Sequence, residues 1–289
     1  MILHPSHGWK SSPHAPETNN FSILGGTSTN PIGAAASLFS VPEQYVAPCP
    51  PHLTSAEAAA LPLTGLTAWR ALVTRSGIVS TTDGADGKKA YELQPKDANL
   101  LVTGIGGGVA LMALVFAVKL GAKVWVTSSS EDKIARAVKL GASGGVNYKS
   151  PTWEKELLSL LPKSRPLIDA VIDGAGSDTL VKTVRLLKLG GTFVSYGMTL
   201  SPNLNVPMSA VLKNIKVEGT TMGSHREFED MVKFVAEREV RPVISRVVKG
   251  RLEEVEKWEE LWRDMKEGRQ FGKLVFEVEE GEGREGAKL

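Results

Sequence analysis

The 289 residues include 34 Lys and Arg against 32 Asp and Glu, a formal charge of +2, and 42% are hydrophobic. No run of basic residues is interleaved with aromatics, which argues against nucleic acid or an acidic membrane surface as main partner. A single cysteine, Cys49, allows no internal disulfide and no Cys-rich zinc lobe, and suits a reducing compartment.

Two domains are expected for this length. The N-terminus "MILHPSHGWKSSPH" turns polar after three residues and has no apolar core of a signal peptide. Residues 1–54 are rich in Pro, Ser, Asn and Thr, with short irregular apolar runs. His4, His7 and His14 lack helical spacing and a carboxylate pattern, so no metal site is expected there. Cys49, in "APCPP", has no marker of a lowered pKa and reads as a small buried apolar residue. The stretch "TRSGIVSTTDGADGKKAYELQPKD" (74–97) is polar and turn-rich and reads as a surface loop.

From residue 99 the pattern changes. "NLLVTGIGGGVALMALVFAVKLGAKVWVTSSS" (99–130) reads as strand, glycine turn, helix and strand. The longest apolar run, Val109 to Val118, is too short to cross a bilayer. Gly104 and Gly106 fill the first two places of the dinucleotide fingerprint Gly-x-Gly-x-x-Gly, but Val109 stands in the third. The first glycine makes the tight turn and the second admits the pyrophosphate; the third only lets helix and sheet pack closely. Gly107 and Gly108 keep the loop free of side chains. Gly106, Ala110, Ala113 and Ala117 form a stripe of small residues to which the packing role can move.

Three stretches share one grammar: "VKLGAKVWV" (118–126), "VKLGASGGV" (138–146) and "LLKLGGTFV" (186–194). Each reads as a helix ending in Lys-Leu-Gly and then a strand, hence βαβ units. Strands are expected at Asn99–Gly104, Lys123–Ser128, Gly145–Tyr148, Ile168–Asp173, Thr192–Tyr196 and Lys216–Thr221. They make a doubly wound parallel Rossmann sheet of α/β class over about residues 62–240. An NAD site normally has Asp or Glu at the end of the second strand. Here stand Thr127, Ser128 and Ser129, with Lys133 one turn into the next helix, a set suited to a 2′-phosphate and so to NADP(H). The alternative is that Ser129 or Ser130 caps the helix and Lys133 is solvated. Glu131 and Asp132 fit the first helical turn better than a ribose. His225, after the last strand, reads as a surface residue.

Beyond 240, "RLEEVEKWEELWRDMKEG" puts Leu252, Val255, Trp258, Trp262 and Met265 on one helical face, and "FGKLVFEVEE" alternates as a strand. The two flanks are expected to pack together as a second, smaller domain. The final Ala287, Lys288 and Leu289 are similar to the Ser-Lys-Leu peroxisomal address, so the cytoplasm and the peroxisomal matrix are the compartments expected.

The glycine turn, with "AEAAALPLTGLTAWRAL" (56–72), "DGAGSDTL" (173–180), "GGTFVSYGMT" (190–199) and "EGTTMGSHREF" (218–228), resembles the medium-chain dehydrogenase/reductase superfamily. The likeness covers roughly residues 40 to 278, and is to the zinc-independent branch that includes quinone oxidoreductases and enoyl reductases. It implies a GroES-like β domain, incomplete here, in two pieces (1–61 and 241–289) around the Rossmann domain (62–240). It places Thr67 near the nicotinamide as the catalytic hydroxyl, with Tyr148 beside the adenosine phosphate. Gly174, Ala175, Tyr196, Gly197 and Met198 would line the cofactor groove. The activity implied is hydride transfer from NADPH to an activated C=C or C=O of a small molecule, without metal, by a homodimer. Where the family reads Gly-Thr-Phe-Ala-Glu-Tyr, this chain has "GAAASLF" (33–39), and the chain is expected to begin partway through the catalytic domain. A second reading follows: a cofactor-binding protein that has lost its chemistry.

Overall fold

The computed structural model describes residues 1–26, 33–36, 38, 40–84 and 88–279. In chain order its main elements are α1 (Ser55–Ala60), α2 (Pro62–Trp69), β1 (Val79–Asp83), β2 (Lys89–Leu93), β3 (Asn99–Val102), α3 (Gly108–Leu120), β4 (Lys123–Ser128), α4 (Glu131–Lys139) and β5 (Gly144–Asn147). There follow α5 (Trp153–Leu160), β6 (Ile168–Asp173), α6 (Thr179–Thr183), β7 (Leu187–Ser195), α7 (Met208–Leu212), β8 (Lys216–Gly219), α8 (His225–Glu237), β9 (Ile244–Gly250), α9 (Val255–Lys266) and β10 (Lys273–Val278). Six strands form one parallel sheet in the order β8-β7-β6-β3-β4-β5. The order reverses between β3 and β6, which opens a crevice outside their carboxyl ends.

Strand alternation divides the interior in two. Leu100 and Val102 of β3, Val124 and Val126 of β4, and Ala170 and Ile172 of β6 join the apolar cluster that includes α2, α3 and α8. Leu101, Trp125 and Val171, one residue out of phase, join the cluster with Trp153 and Leu157 of α5. Helices thus cover both faces of the sheet. Gly121 ends α3 at φ +92 and Gly141 follows α4 at φ +105, as the Lys-Leu-Gly grammar requires.

The third copy of that grammar is different. Leu187–Gly190 is already strand β7, not a helix end, because Lys188 is drawn to the buried carboxylate of Asp169 at 2.7 Å. The segment read as a surface loop contains a hairpin, with Val79 opposite Leu93 and Asp83 opposite Lys89. Its alternation is hidden by polar composition: Leu93 and Tyr91 turn inward, while Ala90 and Glu92 face solvent. Tyr91 lies edge-on to Trp69 and Phe234, and Lys89 pairs with Asp230 of α8. Gly104, at φ +62, ends β3 two residues early, and β5 and β8 also shift by one or two residues.

The flanks pack on the central sheet domain. Arg70, which follows α2 and is 1% exposed, pairs with Glu227 of α8 at 2.6 Å and donates to the Pro13 and His14 carbonyls, and its guanidinium lies over Trp9. His225 is half-buried rather than superficial: its ring stacks on buried His4 at 4.2 Å and 6°. Tyr45 stands edge-on to both, and His7 lies 3.9 Å from Tyr45. Burial holds His4 down at about 4 and lowers His7 and His225 as well, so the rings stack as neutral groups. Cys49 is only partly buried. At the other end β9 and β10 pair in parallel across α9 and pack on α1. Only part of the apolar stripe of α9 is used: Trp258 stacks on Phe276 at 3.7 Å and Leu261 is buried, whereas Val255, Trp262 and Met265 stay exposed. Two strands are too narrow a platform to cover a wider face. Residues 287–289 lie outside the described residues.

Candidate functional site

The turn after β3 is shaped by backbone that a side chain would strain. Gly104 and Gly106 have φ of +62 and +136. Thr127, at the end of β4, fixes the turn: its Oγ1 accepts from the N–H of Gly104 at 3.1 Å and its carbonyl from that of Ile105 at 2.8 Å. Gly107 is the N-cap of α3. At Gly108 a Cβ would lie 2.8 Å from both Thr64 Cγ2 of α2 and Lys273 Cδ of β10. The close approach for which the fingerprint keeps its third glycine is therefore made one residue earlier, against α2 and β10. Val109 is half-buried at the core edge, and Ala110, Ala113 and Ala117 are fully buried.

At the ends of β4 and β5 the predicted adenosine residues come together. Ser128 is buried; its hydroxyl accepts from the N–H of Ser130 and its carbonyl from that of Tyr148 at 3.0 Å. Ser129 is half-buried, and Tyr148 is exposed. Ser130 is the cap of α4, accepting from the N–H of Lys133. Lys133 is not simply solvated: its ammonium crosses the glycine turn beside Gly106 and donates to the Gly268 carbonyl at 2.7 Å. Burial, and then Arg136, hold its pKa below the ordinary value. Glu131 accepts from Asn147 Nδ2 at 3.0 Å and Asp132 pairs with Arg136, so both carboxylates serve the start of α4.

Gly174, Ala175, Tyr196, Gly197 and Met198 adjoin at the ends of β6 and β7. A Cβ on Gly174 would meet Tyr196 Cζ and Oη at 2.5 Å, so the phenol lies directly over that glycine. Burial pushes the phenol pKa up, and Asp173 adds to it. Asp173, fully buried, accepts from the Thr103 hydroxyl and from the Gly176 N–H at 2.8 Å, which holds the Gly174–Gly176 turn. Desolvation raises its pKa against those bonds. Thr67 is 5% exposed on α2, one turn from Thr64 and so on the same side of the helix. Among the described residues it does not bond its own backbone as Thr64 does to Ala60, and its hydroxyl meets only Met222 Sδ, at 3.8 Å. A thioether is a weak acceptor.

Sequence reasoning missed what the C-terminal strand brings. The N–H of Gly272 donates to the Gly106 carbonyl at 2.9 Å, and Arg136 stacks over Phe271 at 4.1 Å. Gln270 Oε1 is buried there with no hydrogen-bond partner among the described residues, and Lys273 leans on Gly108. Only the strand alternation of "FGKLVF" was visible, because nothing in the sequence says that this strand returns to the glycine turn. The side-chain-free turn, the hydroxyls of β4 and the orphaned amide oxygen fit a dinucleotide. Among the described residues no three His, Cys, Asp or Glu side chains are grouped to hold an ion.

Residues 108–237 match the family model of zinc-binding dehydrogenases. The zinc-type alcohol dehydrogenase-like protein YogA of Leptosphaeria maculans is 47% identical over 96% of this chain and 74% of its own length. A zinc-type alcohol dehydrogenase-like protein of Schizosaccharomyces pombe is 32% identical over 78% of this chain, which spans 61% of that relative. The crystal structure of an NAD-dependent alcohol dehydrogenase superposes with a TM-score of 0.79 at 29% identity, over 96% of this chain and 75% of that one. With its six-stranded parallel sheet and glycine turn, the chain belongs to the medium-chain dehydrogenase/reductase superfamily.

Proposed function

We propose that the chain is an oxidoreductase that binds NADP(H) in the crevice outside β3 and β6 and reduces an activated C=C or C=O of a small molecule: an enone, quinone, enoyl or aldehyde compound. The observation that carries this reading is the convergence of the bare turn at Gly104–Gly108 with Ser128, Ser129, Lys133 and Tyr148, where the neighbouring carboxylates Glu131 and Asp132 are engaged by Asn147 and Arg136. The dinucleotide, when bound, supplies the hydride. The Gly106–Gly108 backbone receives its diphosphate, while Ser129, Lys133 and Tyr148 take the 2′-phosphate after Lys133 leaves Gly268. Gly174, Ala175, Gly197 and Met198 wall the groove, and Tyr196 swings off Gly174 to open it. Thr67, held only by a sulfur, turns its hydroxyl to the substrate oxygen and stabilises the charge that develops there. The proposed mechanism uses no metal.

Titration of NADPH and NADH by fluorescence, followed by NADPH oxidation against a panel of enones, quinones and aldehydes, tests this reading. Tighter NADPH binding with turnover supports it; a preference for NADH overturns the cofactor assignment. Binding without turnover on any substrate favours a cofactor-binding protein without catalysis.

A homodimer is part of the same proposal. Around the edge strand β8, Leu200, Val206, Met208, Val211 and Leu212 are all more than half exposed, and sedimentation of the purified chain as a monomer would exclude that assembly. The division at about residues 62 and 240 into a Rossmann domain and the two pieces of a GroES-like domain is likewise proposed. No helix among the described residues is long and apolar enough to span a membrane. A reporter ending in Ala287, Lys288 and Leu289 that stays diffuse would leave the cytosol rather than the peroxisome as the proposed compartment.

A further inference from the structure

Lys133 is already engaged with another part of the chain. It stands in the first turn of α4, and its ammonium donates at 2.7 Å to the carbonyl of Gly268, just past the end of α9. The peptide that joins Gly268 to Arg269 is thereby held at both ends. Its N–H donates back to the Asp264 carbonyl at 3.0 Å, and Gly268 makes that reversal at φ +64, the left-handed stop of a helix. The N–H thus closes the last turn of α9, and the C=O is taken by Lys133.

The lysine stem crosses the glycine turn to reach it. A Cβ on Gly106 would lie 3.2 Å from Lys133 Cδ and 3.4 Å from its Nζ. The space that the second fingerprint glycine keeps open for a diphosphate is therefore filled by the chain's own side chain. Arg136, stacked over Phe271 at 4.1 Å, ties α4 to the same segment a second time. The strap from Gly268 to Phe271 is held by both, and the Lys133 tie lies over Gly106.

Breaking that tie has unequal consequences for two dinucleotides that differ only by a 2′-phosphate. Lys133 is half-buried, and among the described residues no carboxylate pairs with it: Asp132 pairs with Arg136, and Glu131 accepts from Asn147. Burial, and then the Arg136 cation, disfavour its charged form, while Asp132 opposes them. A displaced ammonium in this place needs a new acceptor. A phosphate is a stronger one than the carbonyl it left, whereas a ribose hydroxyl is not. Specificity is a difference of affinities, and a contact that penalises the wrong ligand builds it as well as one that favours the right ligand.

We propose that the Lys133–Gly268 hydrogen bond is an autoinhibitory strap that selects against NADH: every dinucleotide must displace it, and only the 2′-phosphate of NADPH offers the lysine a replacement. The inference rests on the dinucleotide reading above and gives Lys133 two effects of opposite sign, weakening NADH and strengthening NADPH.

The test is equilibrium binding to the full chain, read by fluorescence of the reduced cofactor. Lys133→Ala, which removes stem and ammonium together, should tighten NADH by about tenfold, because a charged hydrogen bond no longer has to be broken, and weaken NADPH by about tenfold or more. Hydrogen exchange of the Arg269 amide in the cofactor-free chain is the second readout. Loss of the tie should speed that exchange by about tenfold, while the amides of Val171 and Ile172 in β6 keep their rates and show that the variant is folded. NADH affinity unchanged or weakened in Lys133→Ala overturns the inference, and so does an Arg269 amide as slow as in the original chain. Failure of the original chain to bind either dinucleotide would overturn the cofactor reading itself. Weaker NADPH binding in Lys133→Ala without a gain for NADH leaves that reading standing and removes only the strap.

Discussion

Acidification from pH 7.5 to 5 should loosen the fold through the histidine stack, and His4 is the residue to change. Its ring is 1% exposed, stacked on His225 and edge-on to Phe228, with Nδ1 bonded to the Ser6 carbonyl. Burial first, and then His225, lower its pKa from 6.5 to about 4. The unfolded chain takes up a proton near pH 6.5 while the folded chain refuses it until about pH 4. The full contribution is therefore present above 6.5, falls as pH drops through that window, and does not change below it. Over the whole window it is about 3 kcal/mol, and down to pH 5 about 2 kcal/mol, at ~1.4 kcal/mol per pH unit. His7 and His225, also lowered, act in the same direction, although Glu229 beside His225 opposes that shift. Urea unfolding at pH 7.5 and 5 should show the native sequence losing about 2 kcal/mol more than His4→Gln. The comparison cancels the carboxylates that titrate in both proteins. Equal losses would refute the claim that His4 is held neutral by its burial.

Arg70→Met leaves Glu227 buried without its cation and should cost about 3–5 kcal/mol in thermal or urea unfolding, part of which a second change, Glu227→Gln, recovers. Gly108→Ala puts a methyl 2.8 Å from Thr64 Cγ2 and should destabilise by about 1–3 kcal/mol, with partial rescue by Thr64→Ser, which removes that methyl. Thr67→Val should lower kcat by about a hundredfold or more while the NADPH dissociation constant stays unchanged, measured by stopped-flow reduction and by titration. Lys133→Ala should weaken NADPH but not NADH in the same titration, and equal weakening of both would remove its assignment to the 2′-phosphate.

The parallel sheet was legible because its code is local. Two Lys-Leu-Gly stops and the apolar strands at Leu100–Val102, Val124–Val126 and Ala170–Ile172 each carry their own signal. The glycine turn was legible for the same reason, and Gly104 and Gly106 have the backbone that its pattern requires. The hairpin was not, because Ser80, Thr82 and Glu92 give its outer face the composition of a loop, and only the packing of Tyr91 on Trp69 and Phe234 reveals the inner one. The third Lys-Leu-Gly misled because Asp169, distant in sequence, recruits Lys188 into a strand. His4 and His225 lie at opposite ends of the sequence, and so do Gly106 and Gly272. Such pairings have no period or spacing to detect.

The crossing of β10 over the glycine turn also bears on how the protein is made. The sheet from β3 to β8 and both of its apolar faces are encoded before residue 240, so they can assemble while the ribosome is still translating. The turn between β3 and α3 then waits for Gly272 to reach Gly106 and for Phe271 to reach Arg136. A nascent chain halted after α9 would carry a finished sheet beside a groove with one wall absent. Retention of the dinucleotide would accordingly mark polypeptides whose synthesis has run through the last strand, and distinguish them from otherwise folded fragments.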